Sequence, residues 1–200
     1  MKKKKIIGLC LAIGLMIGVV GGSLAWFTDT DEVTNSFSTA SGNDDEGKKG
    51  IKINEKWNPE EAKNILPGTT VNKDVQVQNN ATYDQLIRVK FTIVDKTSGE
   101  KLDLSKIRLN FVENKGDNWS EKTSDGVTWY YYNKVVEAGV STDYLLDSVK
   151  LLGTAGEEYK NSAFDVVVDA EGVQATNGAV GEVWPDAPDE IKELGGVSKE

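Results

Sequence analysis

Beyond residue 50 the chain is a succession of short runs in which apolar and polar residues alternate. That two-residue period belongs to strands with one buried face. Ile51-Lys52-Ile53-Asn54 opens the series. Val71, Lys73, Val75 and Val77 then share one parity, with Asn72, Asp74 and Gln76 on the other. Ile87, Val89, Phe91 and Ile93 alternate with Arg88, Lys90 and Thr92, and Ile107, Leu109 and Phe111 define the next strand. Residues 127–136 (V-T-W-Y-Y-Y-N-K-V-V) are rich in β-favouring side chains. Residues 140–152 predict a strand bent at Asp147-Ser148. In 164–176, Phe164, Val166, Val168 and Ala170 line one face; Gly172 predicts a bulge, after which Val173 and Ala175 continue that face in shifted register.

The segments between these runs carry turn chemistry. Asn58-Pro59-Glu60-Glu61 pairs a capping residue with Pro and acids, predicting a short helical turn over 57–63. Leu66-Pro67-Gly68-Thr69 fits a type II turn. Residues 114–126 read as a polar excursion around Trp119, 153–160 as a loop or brief helical turn, and 185–200 as an acidic tail with one helical stretch at 189–194. Seven or eight strands at such intervals predict an all-β, jelly-roll-like β-sandwich over 51–184.

The first 50 residues differ in kind. Lys2 to Lys5 form a cationic start, and residues 6–24 follow without a charge. Ser23 and Ala25 place small residues at the third and first positions before Trp26, so 1–25 reads as a signal peptide cut ahead of Trp26. An uncut membrane anchor is the alternative, because 19 apolar residues reach roughly 28 Å of helix at about 1.5 Å per residue. Cys10 falls too close to Lys5 for a lipoprotein cleavage site. Residues 26–38 follow as an extended N-terminal strand in which Phe27, Val33 and Phe37 share a parity with Asp29 and Asp31. Residues 39–50 have the composition of a flexible linker.

Composition narrows the function. The chain carries 23 basic and 32 acidic residues, a formal charge of −9. Loss of Lys2 to Lys5 with the leader, and of no acid, takes it to −13. Such a surface repels nucleic acid. Cys10 is the single cysteine and leaves with the leader, so the exported form has no disulfide. There is no histidine, which removes Ser-His-Asp and Cys-His catalysis and the usual zinc motifs.

Three motifs carry a family resemblance. They are G-G-S-L-A-W-F-T-D-T-D with N-S-F-S-T-A-S-G-N across 21–43, N-I-L-P-G-T-T-V-N-K-D-V-Q-V-Q-N-N at 64–80, and A-E-G-V-Q-A-T-N-G at 170–178. Together they resemble the TasA/camelysin proteins of Gram-positive biofilm matrices, which a SipW-type signal peptidase processes. The resemblance implies a secreted jelly-roll subunit that polymerises with itself into extracellular fibres. It also implies that Trp26, Phe27, Val33 and Phe37 donate a strand to the next subunit, with Asp29 and Asp31 facing solvent or a basic partner. Other matrix components are further candidate partners, and no cofactor is implied. Some relatives are described as metalloproteases; a chain without histidine gives no ground for carrying that activity over.

Three other chemistries are open to these residues. Trp119, Trp129 and Tyr130 to Tyr132 could form a stacking platform for a monomeric adhesin or carbohydrate-binding sandwich, or could be core and cross-strand packing. Lys73, Lys90 or Lys150 with Asp165 or Asp169 could form an isopeptide crosslink, or could be solvated outward charges. A hydrolase using paired carboxylates remains formally possible, but no pair stands out.

Overall fold

The computed structural model describes residues 28–36, 50–97, 101–159 and 162–196. Nine strands follow in chain order: β1 Thr28–Ser36, β2 Ile51–Trp57, β3 Thr70–Asn79, β4 Gln85–Asp95, β5 Ile107–Phe111, β6 Trp119–Ser124, β7 Val127–Tyr132, β8 Leu146–Leu151 and β9 Phe164–Gln174. Among the described residues three short α-helices accompany them, α1 Lys115–Asn118, α2 Ala179–Val183 and α3 Asp189–Leu194. One sheet has the order β1-β9-β4-β7-β6 and the other β2-β3-β8-β5, with antiparallel pairing throughout. From β3 onward the chain crosses between sheets at each connection except the β6–β7 hairpin, the wrapping of a jelly-roll-like sandwich.

The alternating runs do what their parity predicts. Val71, Val75 and Val77 of β3 meet Ile87 and Val89 of β4, Val149 and Leu151 of β8, and Val166, Val168 and Ala170 of β9 in one core between the sheets. Each fully buried aliphatic side chain contributes about 1.5–3 kcal/mol. The 66–69 turn closes with Thr69 N–H donating to Leu66 C=O at 2.9 Å, and Gly68 takes φ +94°.

Several expectations need correcting. The short helical turn expected over 57–63 takes the form of hydrogen-bonded turns over 59–64, with Glu61 N–H donating to Asn58 C=O at 3.2 Å and Lys63 N–H to Glu60 C=O at 3.3 Å. The Asn58 side chain accepts the Glu60 N–H at 3.1 Å, and so short a stretch does not propagate a helix. The polar excursion at 114–126 contains β6, an edge strand whose Glu121 to Ser124 are all exposed, so it has no buried parity to read. The strand expected over 140–152 is confined to β8, with the bend where its pairing shifts between Ser148 and Leu146. Gly172 is not a bulge: β9 pairs continuously through it with β1 and β4. A Cβ there would stand 2.8 Å from Ile51 Cγ2 of the opposite sheet, so the glycine lets the two sheets approach.

Val173 and Ala175 therefore belong to the opposite face. With Leu86 and Tyr131 they form a second apolar cluster, covered by Ala179, Val180, Trp184, Ala187 and Ile191. The 185–196 part of the expected acidic tail is thus packed against the sandwich through Ala187 and Ile191, both buried. Within it α3 spans the predicted 189–194.

Candidate functional site

The N-terminal strand β1 lies at the edge of the five-stranded sheet. It pairs with β9 alone, without a break, from Thr28 opposite Val173 to Ser36 opposite Asp165. On its other side β9 is held by β4 over its full length. Val33 stands opposite Val168 and packs, half-buried, against the main core. Asp31 stands opposite Ala170 on the same parity, and its Oδ2 accepts the Ile53 N–H of β2 at 2.9 Å.

That contact follows from the geometry of β2. Ile53 pairs with Val77. The Val77 N–H and C=O are both engaged by Thr142, at 3.0 and 2.8 Å, so this pair exchanges no hydrogen bonds and the Ile53 N–H points away from β3. Asp31 closes the seam between the two sheets there. The expectation that it faces solvent or a basic partner is overturned: it faces the main chain of the opposite sheet. Ser23, Ala25, Trp26, Phe27 and Phe37 lie outside the described residues, as does the linker at 39–49.

The candidate aromatic platform is largely internal. Trp119 is buried with Tyr132, ring centroids 5.0 Å apart. Tyr130 packs 4.8 Å from Phe111 and 5.9 Å from Phe91, and Tyr131 lies 6.0 Å from Trp184. Trp129 and Tyr130 are the half-exposed members, and Trp129 lines a shallow cleft of about 360 Å³ with Lys90, Lys122 and Asp186. The Arg88 guanidinium sits 4.0 Å from the Trp129 centroid and 4.7 Å from that of Trp184. Its Nε and Nη2 donate to Glu171 Oε2 at 2.9 and 2.7 Å, and Trp184 Nε1 donates to the same oxygen at 3.1 Å. The cation therefore braces the sheet against the C-terminal segment.

The lysines divide. Lys90 is half-exposed and lies 3.5 Å from Asp169, while Asp165 is paired with Lys96 at 3.1 Å. Lys150 is half-buried, opposite Thr70 and Arg108. Lys73 is fully buried; its Nζ donates to Glu55 Oε1 at 2.7 Å and lies 5.4 Å from the Trp57 ring centroid. Burial lowers its pKa from the usual 10.5, with Glu55 opposing the shift. Among the described residues Lys73 has the low-pKa environment an isopeptide requires, but neither Asp165 nor Asp169 is the carboxylate beside it. Glu55 was not singled out from the sequence because it enters from the neighbouring strand, 18 positions away.

The camelysin metallo-endopeptidase family model matches residues 1–148. The chain belongs to this family. No curated protein and no solved structure matches it. The family description names a metallopeptidase. The chain contains no histidine, and among the described residues no three His, Cys, Asp or Glu side chains converge on a point that could hold a metal.

Proposed function

We propose that this member of the family is an exported, non-enzymatic structural subunit. It self-assembles by donor-strand exchange into extracellular biofilm matrix fibres after a SipW-type signal peptidase cuts between Ala25 and Trp26. One observation carries the reading: β1 is an edge strand, held along its nine residues by β9, and residues 37–49 join it to β2 in the chain. Thirteen residues span up to about 45 Å at roughly 3.5 Å each, enough to deliver the strand to its own sheet or to a neighbour's.

Exchange replaces one β1–β9 ladder with the same ladder between copies. The balance is then set by subunit concentration against the effective concentration of the tethered strand, of millimolar order for short flexible linkers, and by any new contact between copies. Such a polymer passes each strand to the next subunit and leaves β9 without its partner strand only at one end. Other matrix components could be held through those ends.

The test is electron microscopy of the exported protein beside a variant lacking residues 26–37. The expected result is filaments from the first and dispersed, folded particles from the second. Filaments persisting in the deletion would refute the reading.

A further inference from the structure

The N-terminal strand has few side chains that could tell it where along β9 to stop. A one-residue slip reverses its faces, but a two-residue slip keeps parity and preserves most backbone pairing. We propose that Asp31 sets the register, by placing its carboxylate against the Ile53 N–H of the opposite sheet. This inference rests on the strand-exchange reading for its role between copies, though the contact itself lies within one chain.

Both neighbouring registers are worse. Moving the strand so that Val33 takes the place opposite Ala170 leaves the Ile53 N–H without its carboxylate and brings Asp31 opposite Gly172. There space is so short that a Cβ on the glycine would meet Ile51 of the opposite sheet at 2.8 Å and Gln85 of the neighbouring β4 at 2.9 Å. Moving it the other way brings Asp29 to the place opposite Ala170, but it puts Asp31 opposite Val168, where Val33 now packs on the main core, and buries that second carboxylate among apolar groups. Val33 alone cannot make this choice, because Ala170, Val168 and Val166 offer three successive apolar sites. Asp31 turns a tolerant groove into one with a single stop. The device works the same way whether β1 belongs to the sandwich that holds it or to another copy.

The experiment uses the full chain with its own leader, recovered as the cell processes it, with Cys10→Ser throughout. Glu32→Cys is paired in turn with Asp169→Cys, its present partner, and with Val167→Cys or Glu171→Cys, the two slipped partners. Oxidation should favour the first pairing, and Asp31→Ala should spread the bonds to the slipped partners. Asp31→Asn, whose amide oxygen still accepts a hydrogen bond, should restore much of the preference. By hydrogen exchange, the Ile53 amide should open about ten- to a hundredfold faster in Asp29→Ala/Asp31→Ala, where no slipped aspartate can take the vacated place, as expected for loss of a bond to a charged group. Loss of every bond in Asp31→Ala with recovery in Asp31→Asn would also support the inference. An unchanged partner preference in Asp31→Ala, or an Ile53 amide no faster in Asp29→Ala/Asp31→Ala, would overturn it. Non-reducing gels separate the two ideas. Asp31-dependent bonds confined within single chains uphold the register stop and refute strand exchange; Asp31-independent bonds between chains do the reverse.

Discussion

Removing the carboxylate beside Lys73 should be among the most damaging single changes in the sandwich. Lys73 Nζ is 2.7 Å from Glu55, and their side chains are 0% and 9% exposed. Glu55→Ala leaves a buried ammonium without its counter-ion, which typically costs about 3–5 kcal/mol. The protein can escape part of that by releasing the proton. From an unfolded value of 10.5, deprotonation at pH 7 costs about 1.36 kcal/mol per unit, so the loss is capped near 5 kcal/mol. Against a domain stability of about 5–15 kcal/mol this is a large fraction.

The penalty has a pH signature. Because burial holds the folded pKa of Lys73 below 10.5, the unfolded chain binds the extra proton between those two values, and stability from this group rises with pH through that window. In Glu55→Ala the folded pKa drops further and the window widens downward. The double variant Lys73→Met/Glu55→Leu should lack the slope and keep or exceed the parent's stability, as replaced buried pairs often do by about 1–4 kcal/mol. Urea unfolding of the three proteins at pH 7, 8.5 and 10 measures all of this. A Glu55→Ala cost below about 1 kcal/mol at pH 7, unchanged at pH 10, would refute the claim that the ammonium depends on this partner.

Two further outcomes follow from local geometry. Gly172→Ala should destabilise by about 1–3 kcal/mol in urea, the usual cost of overpacking, since its Cβ would lie 2.8 Å from Ile51 Cγ2 and 2.9 Å from Gln85 Oε1; a change under about 0.5 kcal/mol would show that the sheets can part. The Tyr130 phenol, pushed up to about 12 by burial with Glu121 adding to it, should stay neutral when an ordinary tyrosine near pH 10 has ionised. The unfolded chain then releases that proton first, so Tyr130 lowers stability as pH rises from 10 to 12. Absorbance titration at 295 nm of the parent against Tyr130→Phe isolates this phenol.

The sequence was most readable where one face of a strand is buried and the other wet. β3 and β4 show this: Val71, Val75 and Val77, and Ile87 and Val89, announce both the strand and its inner face. β6 was illegible for the opposite reason, since only Trp119 of its six residues is buried. The C-terminal cover was missed because Trp184, Ala187 and Ile191 are spaced among Pro, Asp and Glu, and their burial depends on a patch formed by Leu86, Tyr131 and Val173 on three different strands. Lys73 read as one polar step in an apolar face, and nothing local points to Glu55. Asp31 was the least accessible of all. Its partner is a main-chain N–H, which leaves no mark on the residue type at position 53. The N-terminal segment alternates only weakly, with Asp29 and Asp31 on the parity of Phe27, Val33 and Phe37, and its place beside β9 required the topology.

The C-terminal segment has a geometric consequence for any assembly. Trp184, Ala187 and Ile191 roof one end of the outer surface of the five-stranded sheet, with Arg88 clamped beneath. A roofed plane cannot stack flat on its counterpart in a second molecule. In the strand-exchange polymer proposed above, that disfavours layered, amyloid-like ribbons and leaves the exchanged strand as the joint between subunits.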